Sequence, residues 1–256
     1  MDVLLADLRR QAGWDMVALV CCWTSSSYNK AASRLPGVVK FSRQSKYLTI
    51  EGDYDHWMAR YSKKFLRNLR RKQNNLHAKG TARFELVTEK ASLNGAFDHF
   101  LQVEDSGWKG GDGTSIAKQP DKLNYYRQVL TAFGESGQAA IHLLWLDDRC
   151  IGGQFGVHVG TTFYLLKIGY DEQFSPESPG LLLVDNLIKE ACQRGDIARI
   201  SFVTGLDWMD AWKPSQEPVL NTYHFNQTTK GFALGWSMRL YQRIQAWRQP
   251  TPNQVV

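Results

Sequence analysis

The chain has 256 residues, of which 43% are hydrophobic and 22% are charged, and this composition excludes a largely disordered protein. The length allows one large domain or two small ones, with a core that needs no cross-link for stability. The formal net charge of +6 is unevenly distributed, because residues 60–83 contain nine basic residues and no acidic one. The rest of the chain is slightly acidic, so the sequence is that of a globular protein with one basic element.

The start of the chain and its cysteines indicate the compartment. Acidic residues occupy the N-terminal segment, where a signal peptide carries positive charge. The longest apolar run, Met16–Trp23, is much shorter than the about 20 residues that span a bilayer. The sequence has four cysteines without metal-site spacing: Cys21, Cys22, Cys150 and Cys192. We therefore expect a cytoplasmic protein with no transmembrane segment, reduced thiols in its core and no bound metal.

The first 80 residues predict a helix, two strands and a long helix. An amphipathic pattern, an apolar β-branched run and a short β-rich run precede a helix that Gly80 ends. The predicted bounds are Leu4–Gln11, Met16–Cys22, Tyr47–Ile50 and, for the long helix, Asp53 or Asp55 to Lys79.

The long helix carries the basic residues. At 100° per residue, its apolar stripe consists of Met58, Phe65, Leu69 and Leu76. The opposite face of the Arg60–Lys72 segment carries a cluster of cations: Arg60, Lys63, Lys64, Arg67 and Arg71. Such a face is either simply solvated or in contact with an anionic partner. That partner could be the phosphates of a cofactor, a nucleotide-linked or lipid-linked sugar, an anionic membrane surface or tRNA.

After Gly80 the pattern alternates between strands and helices. Two β-rich runs flank a polar turn at residues 147–149, which predicts a hairpin, and a third strand follows it. The predicted strands are Arg83–Thr88, Ala139–Leu146, Cys150–Val159, Thr162–Tyr170, Ile200–Thr204 and Val219–Phe225. The predicted helices are Leu93–Ser106, Asp121–Phe133, Leu181–Gln193 and Lys230–Trp247. This order predicts an α+β protein in which a mixed α/β sheet carries helices on both faces.

A Ser-Pro-Gly loop precedes the helix that begins near Leu181. The free N–H groups and partial positive charge of a helix start can bind phosphate. Pro179 has no N–H, so the donors would be the backbone groups of Gly180, Leu181 and Leu182, and Gly180 allows a close approach. On its own, such a loop is more often only a helix cap.

Six short motifs, in their order and spacing, resemble a known family. They are Ser62-Lys-Lys-Phe-Leu-Arg-Asn-Leu-Arg-Arg71, Glu104-Asp-Ser-Gly-Trp-Lys-Gly110, Gly113-Thr-Ser-Ile116, Tyr164-Leu-Leu-Lys-Ile-Gly-Tyr-Asp-Glu172, Ser178-Pro-Gly-Leu-Leu182 and Trp212-Lys213. Together they resemble the GNAT acyltransferase superfamily from Tyr61 to Lys213. Within it, the chain is similar to the CelD/BcsL-type branch linked to cellulose and exopolysaccharide biosynthesis, which is related to FemAB-like transferases.

This resemblance implies a GNAT fold preceded by a partial, degenerate GNAT-like half. Residues 1–80 would form that half, residues 81–248 the acyltransferase domain, and residues 249–256 a flexible tail. Family members usually carry more sequence upstream, so the chain is expected to begin inside the first half.

The resemblance also implies acyl-CoA, most simply acetyl-CoA, as the co-substrate. In GNAT folds two central strands splay apart, here Thr162–Tyr170 and Ile200–Thr204, and the pantetheine arm pairs with the exposed edge. Backbone groups of Ile168 and Gly169 would bind the arm and polarise the thioester carbonyl. The pyrophosphate would bind the loop formed by Ser178, Gly180, Leu181 and Leu182.

Candidates for catalysis are charged residues near these elements. Glu104 ends a helix beside a Gly-rich loop and Asp171 ends a strand beside the cofactor loop, so each is either the base or a surface carboxylate. Lys167 is the only charged residue in an otherwise apolar strand, and strand alternation predicts that it shares a face with Leu165 and Gly169. Its ammonium group either reaches water or attracts an anion. The candidate acceptor-binding residues are Trp108, Lys109 and Trp212. The tyrosine that protonates the leaving thiolate in many GNAT enzymes has no counterpart at its usual place.

The resulting hypothesis is an acyltransferase. It would move an acyl group from acyl-CoA directly to an amine or hydroxyl of a small-molecule or saccharide acceptor, such as an exopolysaccharide precursor. The Gly107–Gly113 loop would cover the acceptor pocket. Two alternatives stay open: a FemAB-type transferase that uses aminoacyl-tRNA, and a non-catalytic GNAT-like binding module of a polysaccharide-synthesis complex.

Overall fold

The structure is a computed structural model that describes residues 13–24, 37–107 and 111–248, together with residues 7, 10, 11, 26 and 29. The chain divides into two units. The smaller consists of Met1–Lys46, Thr204–Asp210 and Gln216–Val256, and the larger of Tyr47–Val203 and Ala211–Ser215. Most residues that the sequence analysis connects with chemistry belong to the larger unit.

A mixed sheet forms the centre of the larger unit. Its strand order is β2-β7-β6-β5-β4-β3, and β2 contributes residues 47–49 to it. The strands are Gly37–Thr49 (β2), Ala82–Val87 (β3), Ala139–Leu146 (β4), Arg149–Val159 (β5), Thr162–Tyr170 (β6) and Arg199–Ser201 (β7). Neighbours are antiparallel except β6 and β7, which are parallel. The predicted hairpin, meander and mixed α/β fold are therefore confirmed.

Helices cover both faces of this sheet. They are Tyr54–Met58 (α1), Lys63–His77 (α2), Lys90–Ser106 (α3), Pro120–Gly134 (α4) and Pro179–Arg194 (α5). On one face, α3 and α4 build a hydrophobic core in which the rings of Phe97 and Phe155 lie 5.5 Å apart. On the other face, Leu183 of α5 lies against Gly152 of β5. The two faces of the sheet therefore contact different helices.

A buried carboxylate joins α5 to α1 and α2. Asp185 is 1% exposed and accepts hydrogen bonds from Tyr54 at 2.5 Å and from Gln73 at 3.1 Å. It also pairs with Lys189 at 2.8 Å. Burial, and then the hydrogen bond to Asp185, raise the pKa of the Tyr54 phenol far above its ordinary value. The contact between these helices is thus polar and internal, which fixes their arrangement.

The long helix expected before Gly80 is in fact two helices. α1 ends at Met58, and α2 begins after Ser62, whose hydroxyl accepts a hydrogen bond from the Phe65 N–H at 3.2 Å. Met58 therefore does not belong to the apolar stripe of α2. The prediction of one helix is wrong because no glycine or proline marks the break, and a serine cap inside a polar run is a weak signal.

The smaller unit contains the remaining strands and the last helix. β1 (Met16–Trp23) pairs antiparallel with β8 (Ser215–Phe225), β2 adjoins β8, and α6 (Thr229–Arg248) follows. The strands and the last helix predicted here are confirmed. The helix predicted near the N-terminus lies largely, and the tail predicted at residues 249–256 wholly, outside the described residues.

The thiols are free, but they are not core residues as predicted. Cys21 is exposed and the other three are partly exposed, because their strands and helix border solvent at these positions. Burial raises the pKa of the Cys150 thiol to about 11, so it stays protonated at neutral pH.

No helix within the described residues combines the length and the apolar content that crossing a bilayer requires.

Candidate functional site

The site begins where β6 leaves its parallel neighbour. The ladder between β6 and β7 runs from Thr162↔Arg199 to Tyr164↔Ser201. β7 ends at Ser201, whereas β6 continues to Tyr170. The pairing with β7 therefore covers only the first three of the nine residues of β6. A strand that continues past the end of its neighbour can pair with an extended ligand.

A β-bulge decides which side chains of β6 face which helix. Phe155 of β5 pairs with Lys167, but the next residue of β5 pairs with Leu165, so Leu166 is the extra residue. Lys167 therefore lies on the face of Phe155, where its ammonium is 5.4 Å from the centroid of the Tyr126 ring. The expectation that Lys167 shares a face with Leu165 is wrong, because strict alternation fails at a bulge.

Glu104 lies on the same face as Lys167. A β-carbon added to Gly169 would lie 3.0 Å from the Glu104 Cα, so α3 crosses β6 at this glycine. The Glu104 carboxylate is 3% exposed and accepts a hydrogen bond from the Ile116 N–H at 2.8 Å. Burial raises the pKa of the Tyr126 phenol, and electrostatic interactions with Tyr125 and then Glu104 add to this effect. Tyr126 therefore lies near Lys167 and Glu104 on this face of β6.

Asp105 anchors the chain where it returns from the Gly-rich loop. Its carboxylate accepts a hydrogen bond from the Ser115 hydroxyl at 2.5 Å and lies 3.4 Å from the Lys118 ammonium. The Ser115 hydrogen bond, reinforced by Lys118, holds the pKa of Asp105 below its usual value. Trp108 and Lys109, the expected acceptor-binding residues, lie outside the described residues.

The N-terminus of α5 has one available backbone donor. Ser178 adopts a left-handed conformation with φ of 55°, and its carbonyl accepts hydrogen bonds from Leu181 and Leu182 at 3.0 and 3.2 Å. Two of the three expected phosphate donors are therefore already bonded. The Gly180 N–H has no acceptor among the described residues. The donor that fits a phosphate is thus the backbone of Gly180.

Gly180 lies against the second face of β6. A β-carbon added there would lie 3.6 Å from the Tyr170 ring and 3.8 Å from the Ile168 side chain. These are ordinary van der Waals distances, so packing does not demand a glycine at this position. Its lack of a side chain keeps the space between α5 and the end of β6 open to a ligand.

Asp171 holds a turn together. It is 5% exposed and caps the 3₁₀ turn Glu172–Glu177, where one carboxylate oxygen accepts the Gln173 N–H at 3.0 Å. The other oxygen pairs with the Arg149 guanidinium. Because both oxygens are engaged, this side chain fixes the segment that leads into α5.

Trp212 packs in an aromatic cluster. Its ring is 1% exposed and lies 5.3 Å from Phe65, 5.9 Å from Tyr61 and 6.2 Å from Trp57. The Tyr61 hydroxyl donates to the Trp212 carbonyl at 2.6 Å. A ring this buried has no exposed surface for the substrate contact that the sequence predicts.

Lys72 of α2 and Lys79, which follows this helix, contact the turn before α5. Lys79 pairs with Glu177 at 2.8 Å, and the Lys72 ammonium donates to the carbonyl of Pro176. The basic helix is therefore attached to the same loop whose end presents Gly180.

The structure thus distributes the predicted site residues over the two faces of β6. Glu104, Lys167 and Gly169 meet on the α3 face, and Ile168 and Gly180 meet on the α5 face. Tyr126, which contacts Lys167, is not among the residues that the sequence predicted for the site. No motif marks this tyrosine, because its position depends on the packing of α4 against a distant strand.

Comparison with known proteins agrees with this geometry. Residues 63–213 match the family model described as an acetyltransferase (GNAT) domain. The match covers more than half of the chain, so the chain belongs to this family and has a GNAT-type acyltransferase fold.

Solved structures show the same fold. FemX is similar with a TM-score of 0.61 and 12% identity, over 88% of this chain and 77% of that one. A conserved protein of unknown function from Bacteroides thetaiotaomicron has a TM-score of 0.59 and 13% identity, over 87% and 75%. The C-terminal domain of a putative lysylphosphatidylglycerol synthetase from Agrobacterium fabrum has a TM-score of 0.58 and 13% identity, over 91% and 74%. At sequence identities this low, the similarity shows a shared fold and no shared function. No curated protein matches the chain.

Proposed function

We propose that the protein transfers an acyl group, most simply acetyl, from acyl-CoA to an amine or hydroxyl acceptor. The observation that carries this proposal is the end of the β6–β7 pairing at Tyr164, with β6 continuing to Tyr170 and the N-terminus of α5 following along the chain. A strand that continues past the end of its neighbour can bind an extended arm through backbone hydrogen bonds, and a helix start favours phosphate. Membership of the GNAT family supports the same assignment.

The residues at this end of β6 fit a co-substrate that carries phosphates and a thioester. Gly180 offers an N–H without an acceptor among the described residues and no side chain in the way. We assign Ser178, Leu181 and Leu182 to the loop around this donor, and the backbone of Ile168 and Gly169 to the arm. Bound acyl-CoA would supply an activated thioester carbonyl to the acceptor.

For proton transfer we assign Glu104 rather than Asp171. Both oxygens of Asp171 are engaged, whereas Glu104 adjoins Gly169 on the face of β6 that also carries Lys167. A carboxylate here would take the acceptor's proton as the new bond to the acyl carbon forms. Since Glu104 is 3% exposed and holds the Ile116 N–H, this role requires the Ile116 segment to move away.

Lys167 would attract an anionic group of the acceptor. A thiolate with a pKa of about 8.5 leaves without a strong acid. The absence of the usual tyrosine therefore does not oppose the reaction. We expect Glu104→Gln to lower kcat much more than KM, with a native melting temperature, once an acceptor is known.

Calorimetric titration of acetyl-CoA tests the proposal. Wild type should bind at micromolar concentrations, and Gly180→Trp should abolish binding because an indole would fill the space beside Ile168 and Tyr170. Gly95→Trp is the matched control, since Gly95 is an exposed helical glycine with nothing within 4 Å of an added β-carbon. Wild type that binds no acyl-CoA would contradict the proposal and favour a non-catalytic module.

A FemAB-type transfer from aminoacyl-tRNA is the second candidate. It is supported by the cations of α2 and by the shared fold of FemX and the lysylphosphatidylglycerol synthetase domain. It predicts no binding of acyl-CoA and a tRNA affinity that falls steeply with salt and is lost in Lys64→Ala/Arg67→Ala/Arg71→Ala.

We further propose a saccharide acceptor of the exopolysaccharide type. The support is the similarity of the six motifs to the CelD/BcsL-type branch. A screen of amino sugars and exopolysaccharide fragments for release of free CoA tests this, and turnover restricted to unrelated amines would contradict it.

A further inference from the structure

One face of α2 carries cations that no carboxylate neutralises. Lys64, Arg67 and Arg71 are exposed, and in the part of the chain that the structure describes none of them pairs with an acid. Arg71 donates a hydrogen bond to the side-chain oxygen of Asn68 at 2.9 Å. Spacings of three and four residues place the three cations on one side of the helix. They differ from Lys72 and Lys79, which hold the loop before α5.

The same three side chains line a concavity of about 490 Å³. Its lining is Ser62, Lys64, Phe65, Arg67, Asn68 and Arg71. This volume lies within the roughly 300–1,000 Å³ of small-molecule sites. A concave site with three cations concentrates positive charge more than a flat basic surface does.

The helix that carries these cations is rigidly held. On its inner side Leu69 and Leu76 are buried, and Gln73 bonds to Asp185 of α5 at 3.1 Å. Phe65 stacks on Tyr61 with centroids 4.7 Å apart, which fixes one wall of the concavity. Side chains on a fixed helix lose less entropy when they bind a ligand.

We propose that this concavity binds the phosphate groups of a small-molecule ligand, with Arg67 and Arg71 as bidentate donors and Lys64 as a point charge. Guanidinium groups match the geometry of phosphate oxygens, and three cations suit a diphosphate better than a single phosphate. The hydroxyl and amide of Ser62 and Asn68 would bind neighbouring oxygens. The inference does not depend on acyl-CoA binding at Gly180.

Two sources could supply such phosphates. One is the co-substrate, whose nucleotide end carries several phosphates, and the other is an activated acceptor that carries a diphosphate. The recognition chemistry is the same, so the two are separated by competition.

The test is isothermal titration of inorganic pyrophosphate at constant ionic strength, because salt screens exposed charges. Arg67→Gln/Arg71→Gln should weaken binding at least tenfold. Lys63→Gln/Arg70→Gln removes the same charge from exposed positions of the same helix outside the concavity, and it should change the affinity less than twofold. Melting temperatures should stay native in both, since all four side chains are exposed.

The titration is repeated with saturating acetyl-CoA and with bulk tRNA. Loss of pyrophosphate binding with acetyl-CoA assigns the concavity to the co-substrate, and unchanged binding assigns it to the acceptor. The proposal would be overturned if both double variants bound pyrophosphate equally weakly and tRNA displaced pyrophosphate better than acetyl-CoA did. The helix would then be a diffuse binding surface for polyanions. Absence of pyrophosphate binding in wild type would overturn it too. In Gly180→Trp, loss of acetyl-CoA binding with retained pyrophosphate binding separates this site from the one on β6.

Discussion

A glycine lies at each face of β6, and the two glycines differ in how closely other atoms approach them. On the α3 face, Gly169 lets the backbone of Glu104 approach so closely that an added β-carbon would lie 3.0 Å from it. On the α5 face, Gly180 has 3.6 Å to its nearest neighbour. A side chain at Gly169 would therefore force its neighbour to shift, whereas Gly180 leaves space that packing does not use. A ligand site needs unoccupied space beside an available N–H donor, and the space at Gly180 is of this kind.

The largest expected effect is on the packed face. Gly169→Val should lower the free energy of unfolding by about 3 kcal/mol, because the contact is with the backbone of α3, which cannot move away as a flexible side chain would. Urea denaturation measures this change. A decrease in the free energy of unfolding below about 0.5 kcal/mol would show that α3 shifts freely. The packing around Gly169 would then be no tighter than the packing around Gly180.

The next effect concerns the carboxylate that this glycine brings close. Glu104→Ala should cost about 2 kcal/mol, since the buried Ile116 N–H loses its acceptor. Glu104→Gln keeps an oxygen for that bond and should cost much less. Both values come from urea denaturation. If the two variants are equally unstable, charge rather than the hydrogen bond holds this segment.

Acid should weaken the same region. The pKa of Asp105 is lowered in the folded protein, so its contribution to stability is present above its ordinary value near 3.8 and is lost as the pH falls through the lower folded value. The carboxylate is about one-third exposed, so we expect less than about 1 kcal/mol. Stability of Ser115→Ala should fall less than that of wild type between pH 5 and pH 2. Parallel curves would contradict the assignment.

The smallest effect is expected on the open face. Gly180→Ala should leave stability unchanged or raise it by up to about 1 kcal/mol, because alanine restricts the unfolded chain and meets no close neighbour. Its affinity for acetyl-CoA should nevertheless fall. Thermal unfolding and calorimetry together check this, and a destabilised Gly180→Ala would mean that this face is as tightly packed as the other.

Local patterns predicted much of this fold. Apolar periodicity and turn residues located the hairpin, the meander and helices α3, α4 and α5, because these elements depend on neighbours in sequence. The bulge at Leu166 could not be predicted, since it is set by pairing with β5, and it reverses the relation of Lys167 to Leu165. The break at Ser62 was missed because capping competes weakly with a strong helical pattern.

The candidate site could be predicted only in part, because sequence patterns predict local elements but not contacts between distant segments. The loop before α5 is a local motif, so its position could be predicted, but the bonding of the Leu181 and Leu182 N–H groups to Ser178 could not. Which carboxylate lies beside β6 is a matter of tertiary packing, as is the burial of Trp212 among Trp57, Tyr61 and Phe65. Sequence spacing carries no information on such contacts between distant segments.

Asp185 has a consequence for where the autonomous folding unit begins. Removing the chain up to residue 80 would take away Tyr54 and Gln73, and a carboxylate that is 1% exposed would keep Lys189 alone. A buried charge stripped of its donors strongly destabilises a protein. Helices α1 and α2 therefore stabilise the same unit as α5, and we expect a truncated chain to keep this fold only if it begins before Tyr54.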